Sequence, residues 1–262
     1  SFPGTLSTVI DGGAGTDTLD FSAYGFALSF LFQTTGDVFV TDATNALTLT
    51  ARGIETFYGG SGDDTFTFED GFTGTVDGLT LDGKGGDDAV TLTGGLDMAG
   101  GDLSLTAESI TVNAGASVTN AGAVDFTAVA EDGSTVTDAA DLQDRAASIS
   151  VLGDVTASGS LTLTAEAVRD VDVSGADQDL DLDAGTSATI QVSGSTLSAA
   201  SLQMTARTRG SVSADNTNLF TGTAVNRFQE SATVSLSNST VTDVGGFEAL
   251  AERTTVYAAK GR

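Results

Sequence analysis

The sequence predicts an all-β protein that folds as a parallel β-solenoid, or β-helix. Val, Ile, Leu and Phe alternate with Thr, Ser and Asp at every second position through most of the chain, which is typical of half-buried strands. Helix-forming residues never gather for long at the spacing of an amphipathic helix. Short segments also recur at intervals of about 20 to 23 residues, a repeat length that is typical of solenoid coils.

Residues 1–95 form the first predicted region, which is rich in Gly, Asp and Phe. Ten of the fourteen phenylalanines of the chain lie before position 73. Three Gly-Asp segments begin at Gly12, Gly59 and Gly83. The first two fit the nonapeptide G-G-x-G-x-D-x-U-x, in which U is apolar, at every fixed position, and the third departs from it only at Lys84. The sequence therefore predicts three sharp turns, each leading into a strand.

The residue types in these segments suit a calcium ion. Glycine adopts positive φ angles easily, so several backbone carbonyls can converge on one point, and the aspartate adds a carboxylate. Calcium takes six to eight oxygen ligands in irregular geometry. The alternative is that the segments are tight Gly-Asp corners without metal. The residues that we expect to bind calcium are Gly12, Gly13, Gly15, Asp17, Gly59, Gly60, Gly62, Asp63, Asp64, Gly83, Gly86, Asp87 and Asp88.

Together with their flanks at 17–24 and 53–66, these segments resemble the RTX, or haemolysin-type calcium-binding, family over roughly residues 8–95. The resemblance implies a calcium-dependent protein that bacteria secrete. In that family each nonapeptide follows directly on the last, whereas here the motifs begin at 12, 59 and 83. We interpret the longer gap as two coils and the shorter gap as one coil of a wider helix, with isolated sites between neighbouring coils. The segment 36–40 is then a degenerate turn in the longer gap.

Residues 96–262 form the second predicted region, a parallel β-helix with coils of about 20–23 residues. A self-match aligns 187–197 with 231–241, and we interpret its shift of 44 as two coils. The segment 222–241 is similar to repeats of filamentous adhesins of the haemagglutinin and leukotoxin type. The long intervals between some recurring rungs, from 124 to 161 and from 202 to 247, are likewise interpreted as two coils each. The rungs are Leu103–Ala107, Val124–Ala128, Leu161–Ala165, Leu180–Ala184, Leu202–Ala206 and Phe247–Ala251.

The charge of the chain restricts its partners. Thirty-six acidic residues oppose ten basic ones, histidine is absent, and the formal net charge is −26. Such a chain repels nucleic acid and anionic membranes and attracts cations, which again favours calcium. No run of eighteen apolar residues occurs, so we expect no membrane span. The acidic composition and the lack of cysteine fit a secreted protein, located outside the cell or on its surface.

Three other interpretations start from particular side chains. A β-helix polysaccharide lyase or epimerase needs a base beside a stabilising cation, but the two lysines, Lys84 and Lys260, are far apart in sequence and no carboxylate pair is distinguished, so we expect no enzyme. Thr-x-Thr pairs at 48, 65, 91 and 162 are typical of ice-binding solenoids, but their spacing is too uneven to predict a ladder. Arginines at 207, 209 and 227 could bind a carboxylated sugar, and we expect them to pair with acidic residues instead.

The sequence thus predicts a structural and adhesive role. The chain is expected to be a segment of a giant secreted adhesin or a subunit of a surface filament. Its expected partners are calcium, neighbouring solenoid modules or head-to-tail copies of itself, and surface glycans. Residues 254–258 still have the pattern of a strand, so open strand edges are expected at that end.

Overall fold

A computed structural model shows an all-β chain with large, mainly parallel sheets. It describes residues 6–44, 47–132, 135–136, 144–174, 181–215, 225–242 and 244–260. Every regular element in these ranges is a strand, which confirms the all-β prediction. The strands are numbered in chain order, β1 to β25, and they form three sheets that we name A, B and C.

In each sheet the strands are given in the order in which they pair with their neighbours. Sheet A contains β1 (Leu6–Asp11), β5 (Leu47–Arg52), β4 (Val38–Asp42), β3 (Leu28–Phe32), β7 (Thr65–Phe68), β10 (Ala89–Leu92), β13 (Ser109–Val112), β17 (Arg145–Val151), β20 (Asp181–Ser193) and β23 (Val225–Ser237). Sheet B contains β2 (Thr18–Asp20), β6 (Thr56–Tyr58), β9 (Leu79–Asp82), β12 (Leu103–Ala107), β15 (Val124–Asp132), β19 (Ser160–Ser174), β22 (Ser201–Asp215) and β25 (Phe247–Lys260), and β16 (Thr135–Val136) pairs with β19. Sheet C contains β24 (Thr240–Thr242), β21 (Thr196–Ser198), β18 (Asp154–Ala157), β14 (Ser117–Ala121), β11 (Gly95–Asp97) and β8 (Phe72–Thr73).

From β7 onwards the chain visits sheets A, C and B in turn, apart from the short β16. Each strand in this cycle pairs in parallel with the strand one cycle earlier, an order that is consistent with a β-solenoid. Val90 lies opposite Phe66 on one side and Ile110 on the other, so the first two steps are close to the coil length that the sequence predicts. Sheet C continues across the predicted junction near residue 95, because β11 pairs with both β8 and β14.

The later steps are longer than the sequence suggested. Ile149 lies directly opposite both Ile110 and Ile190, so each of these steps is nearly twice as long as the step from Val90 to Ile110. Ser187 lies opposite Ser231, so the shift of 44 is one step between paired strands. The two-coil interpretation of these intervals is therefore wrong. The extra residues lengthen the strands of sheets A and B, since β19 and β22 pair over fifteen positions.

The recurring rungs map onto the sheets with one exception. Five of them lie in register on sheet B, beginning at Leu103, Val124, Leu161, Leu202 and Phe247. The remaining rung, 180–184, begins outside the described residues, and its other four positions open β20 in sheet A. The same polar and apolar alternation occurs on two faces of the fold, so pattern alone could not assign the rung to a sheet.

The first part of sheet A contains antiparallel strands. Strands β3, β4 and β5 form a meander, and β5 returns to pair in parallel with β1. The gap between the Gly-Asp segments at Gly12 and Gly59 contains this meander, so its interpretation as two coils is also wrong. The segment 36–40 is not a calcium turn between coils, because it forms the hairpin connection into β4, where Gly36 has a φ of 81°.

Inward-facing residues form one continuous apolar core whose character changes along the chain. Between β3 and β7, phenylalanine rings stack on each other. Their centroids are 4.4 Å apart for Phe30 and Phe66 and 4.2 Å apart for Phe32 and Phe68. Aliphatic side chains take the equivalent positions from β10 onwards. Alanines such as Ala165 and Ala206 fill the inward positions of the long strands and are fully buried.

Candidate metal-binding corner

Two of the three Gly-Asp segments are direct neighbours in space. Each connects a strand of sheet B to a strand of sheet A, at 59–64 and at 83–88. The Gly59 amide donates to the carbonyl of Asp82 at 2.8 Å, and the Gly85 amide donates to the carbonyl of Gly60 at 3.1 Å. The pairing of β7 with β10 places the two segments one strand step apart, which is consistent with the interpretation of their separation as one coil.

The segment at Gly12 lies elsewhere. It connects β1 in sheet A to β2 in sheet B, and the Gly12 amide donates to the carbonyl of Arg52 at 3.0 Å. The amide of Asp17 donates to Glu55 Oε2 at 2.9 Å. Gly12, Gly13, Gly15 and Asp17 are therefore not brought together with the other predicted ligands, even though their nonapeptide matches the pattern fully.

A ladder of carboxylates runs through the two neighbouring segments. Asp64 accepts hydrogen bonds from the amides of Leu28 and Gly60, both at 2.6 Å. Asp88 Oδ1 accepts from the amide of Asp64 at 2.7 Å, and Glu108 Oε2 accepts from the amide of Asp88, also at 2.7 Å. Asp88 and Glu108 thus each bind the backbone of the preceding coil. We call Asp63, Asp64, Asp87, Asp88 and Glu108 the acidic corner.

Sequence reasoning missed Glu108. This residue lies outside the Gly-Asp pattern, but it directly precedes β13 just as Asp64 precedes β7 and Asp88 precedes β10. Its position before a polar and apolar alternation, about one coil after Asp88, was the available signal. The outer aspartates make different contacts, since the Asp87 amide donates to Asp63 Oδ1 at 3.0 Å and Asp87 pairs with Arg145 at 3.0 Å.

The inner carboxylates of the acidic corner are almost completely removed from water. The exposed fraction is 0% for Asp64 and 2% for Asp88. Among the described residues, Asp88 Oδ2 has no hydrogen-bond partner. Burial raises the pKa of Asp88 to about 7 and that of Glu108 to about 7, and it also raises the pKa of Asp64. Burial therefore disfavours the charged form of Asp88 near neutral pH, and a nearby cation would favour it.

The glycines at the start of each segment let the carboxylates approach the backbone. A Cβ atom at Gly59 would lie 2.4 Å from Asp64 Oδ2, and one at Gly83 would lie 2.1 Å from Asp88 Oδ2. Both distances are far inside van der Waals contact, so no larger residue fits without displacing the carboxylate. These two positions of the nonapeptide are explained by packing whether or not metal binds.

Lys84, the departure from the pattern, adds a positive charge beside the corner. It has a φ of 75°, its ammonium lies 2.6 Å from Asp82 Oδ2, and the same group lies 4.0 Å from the centre of the Tyr58 ring. The hydrogen bond to Asp82 raises the pKa of Lys84. Lys84 lines an open cleft of about 250 Å³ together with Asp82, Asp88, Glu108 and Glu131. The lining of this cleft has more negative than positive groups, which favours a cation.

The donor set of the acidic corner suits calcium only if the backbone contributes. No group of three or more acidic side chains in the described ranges is placed to hold an ion by side chains alone. Calcium accepts carbonyl oxygens as readily as carboxylates, and both turns have glycine backbone close to an aspartate. The buried, unpartnered Asp88 Oδ2 is the atom that best fits such an ion.

Other predicted residues lie away from the corner. Arg207 pairs with Glu252 at 3.2 Å and Arg209 approaches Glu166 at 3.9 Å, which confirms the expected pairing for these two. The side chain of Arg227 is outside the described residues. In the part of the chain that the structure describes, no helix is long and apolar enough to cross a membrane.

Comparisons of the chain with protein-family models, with curated proteins and with solved structures each gave no significant match.

Proposed function

We propose that this chain is a calcium-stiffened parallel β-helix of the RTX type, with a structural and adhesive role outside the bacterial cell. It would form a segment of a giant secreted adhesin or a subunit of a surface filament. The observation that carries this proposal is the stacked pair of turns at 59–64 and 83–88, with the unpartnered Asp88 Oδ2 buried between coils.

Calcium at this corner would be held by Asp64, Asp88 and backbone carbonyls of the two turns, with Asp63 and Asp87 close by. The ion would supply the positive charge that two buried carboxylates lack. Because these ligands come from two coils, binding would stabilise their stacking and couple metal binding to folding. The net charge of −26 would make this coupling strong, since the metal-free chain repels itself.

The segment at Gly12 would form a separate, weaker site. The geometry is less favourable there, because the neighbouring turn lacks a nonapeptide. Asp17 Oδ2 is nevertheless buried, and it has no hydrogen-bond partner among the described residues. A second calcium ion of lower affinity is the expected consequence.

The outermost described coil supports a role in assembly. Phe247 is 54% exposed although it aligns with the buried Leu202, and Leu236 is 41% exposed although it aligns with the buried Val192. These apolar side chains stand in the inward-facing columns of β25 and β23, which are the last described strands of sheets B and A. We infer that another solenoid module or a second copy covers them, which would place the chain in a longer rod that presents surfaces to glycans.

The calcium proposal is tested by thermal melts followed by far-UV circular dichroism, with chelator, with millimolar calcium and with millimolar magnesium. Asp88→Asn removes the buried charge. Asp102→Asn is the control, because Asp102 Oδ1 also accepts an amide of a neighbouring coil, that of Ala123 at 2.7 Å, but lies outside the three Gly-Asp segments. Calcium should raise the melting temperature of the wild type and of Asp102→Asn much more than that of Asp88→Asn.

A wild-type chain that shows no calcium-specific rise in melting temperature would contradict the proposal. The segments would then be metal-free corners. An equal rise for Asp88→Asn and the wild type would place the metal elsewhere. For the assembly proposal, sedimentation velocity over a wide concentration range should show growing species, and a constant monomer would count against self-stacking.

A further inference from the structure

The outer face of sheet A carries two columns of hydroxyl side chains. In strands β7, β10, β13, β17, β20 and β23, alternate residues point away from the core and are partly or fully exposed. We call the twelve positions that follow the hydroxyl face. One column is Thr65, Ala89, Ser109, Ser148, Thr189 and Thr233, and the other is Thr67, Thr91, Thr111, Ser150, Gln191 and Ser235.

The register along these columns is constant. Each residue lies opposite its equivalent in the next strand over five successive pairings, without a bulge. Neighbouring rows are close enough for direct contact, since the Ser148 hydroxyl donates to the Ser109 hydroxyl at 3.3 Å. The rows are separated by unequal intervals in the sequence, so this regularity cannot be seen there. Serines occupy several of the column positions between the Thr-x-Thr pairs. The objection that the threonine spacing is uneven therefore applies to the sequence and not to the folded face.

The hydroxyl face is also free of charge. None of its twelve positions carries a charged side chain, in a protein with a net charge of −26. Only Ala89 and Gln191 among the twelve lack a hydroxyl group. A solvent-facing surface without charges does not attract ions or charged polymers, so the partner that suits it is a neutral material that a regular array of hydroxyl and methyl groups can match.

The spacing of the array points to ice. Paired strands lie about 4.8 Å apart, and alternate residues of a strand lie about 6.6 Å apart. Water molecules that form tetrahedral hydrogen bonds of about 2.75 Å have second neighbours at about 4.5 Å, close to the strand spacing. Neutral polysaccharide surfaces are the main competitor, but sites for them are typically lined by aromatic rings, and the hydroxyl face has none. We propose that the hydroxyl face binds ice.

The test is an ice-affinity experiment on the full chain in millimolar calcium. Ice is grown slowly from a protein solution, and the protein content of the ice and of the remaining liquid is compared. Thr111→Lys and Ser150→Lys each place a charge at the centre of the second column. Thr162→Lys is the matched control, because Thr162 is an equally half-buried, outward-facing residue on sheet B.

The wild type and Thr162→Lys should be concentrated in the ice, and Thr111→Lys and Ser150→Lys should be excluded like serum albumin. Circular dichroism melts must show that all four proteins are equally folded. Exclusion of the wild type from ice overturns the proposal, and so does an equal loss in Thr162→Lys. Co-sedimentation of the wild type with an insoluble neutral glucan, without capture by ice, would assign the face to polysaccharide instead. Asp88→Asn separates this inference from the calcium proposal, because a folded Asp88→Asn chain should still enter the ice.

Discussion

Two parts of the chain contribute strands to the same three sheets, the short-strand part up to β13 and the long-strand part that follows it. Different interactions stabilise the two parts. In the first, short strands enclose stacked phenylalanine rings, and buried carboxylates bind the backbone at the acidic corner. In the second, much longer strands such as β19 and β22 enclose aliphatic side chains and alanine. The comparison teaches that carboxylates accept backbone amides in both parts, through Asp144 and Asp154 in the second, but that the buried carboxylates among the described residues lie in the first. We therefore expect the stability of the first part to change with solvent cations and pH more than that of the second.

The largest expected effect concerns the aromatic stack. Phe66→Ala should lower the free energy of unfolding by about 3–5 kcal/mol, because it leaves a cavity beside Phe30 that the rigid coil cannot fill. Ile190→Val, in the equivalent column of the second part, should lower it by about 0.5–1.5 kcal/mol. Guanidinium unfolding in calcium measures both. Hydrogen exchange should place the loss in the coils next to Phe66, and a loss spread evenly over all coils would contradict the local model.

The next effect is the pH dependence of the metal-free protein. Asp88 has a pKa of about 7 in the folded chain, above the ordinary value for aspartate, so between about pH 4 and 7 the folded state keeps a proton that the unfolded state has lost. The free energy of unfolding should therefore fall as pH rises through this range, by up to about 1.4 kcal/mol per pH unit for each such group. Glu108 contributes in the same direction.

Denaturant unfolding at several pH values in chelator measures this slope. Asp88→Asn should flatten it, whereas Asp102→Asn should keep it. Calcium should oppose the fall, because it favours the ionised carboxylates. A slope that is unchanged in Asp88→Asn would assign the pH dependence to Glu108 or to the overall charge of the chain.

A smaller effect is expected where glycine is needed for close approach. Gly59→Ala should lower the free energy of unfolding by about 1–3 kcal/mol, because its Cβ would overlap with Asp64 Oδ2 and with the carbonyl of Gly83. Gly246→Ala is the control, since no atom lies within 4 Å of its added Cβ. The control should change stability by less than about 0.5 kcal/mol. Equal stability of the two variants would show that the turns adapt easily.

The smallest effect concerns the surface ion pairs of the second part. Glu252→Gln removes the partner of Arg207, and both side chains are about half exposed. The expected loss is about 0.2–1 kcal/mol at low salt, and it should vanish at high salt because exposed charges are screened. Thermal melts at two salt concentrations measure it. A loss that persists in high salt would mean that packing, rather than charge, is what the pair contributes.

Much of the fold could be predicted from local patterns. Alternation of apolar and polar residues predicted strands throughout, and the spacing of Gly59 and Gly83 predicted that their turns stack. The position of the Gly12 segment could not be predicted, because its place depends on the meander that returns β5 to β1. Glu108 was missed for a related reason, since it joins Asp88 only through the register of β10 and β13.

The sequence by itself determined the strand content, the inward and outward alternation, the strong negative charge and the chemistry of the Gly-Asp turns. These properties depend on neighbouring residues, so they can be seen along the chain. Tertiary structure alone decided which strands pair, and thereby the length of each coil, the composition of the acidic corner and the regularity of the hydroxyl face. Register is a relation between segments that lie a whole coil apart in sequence, and it depends on how the core packs across the entire stack.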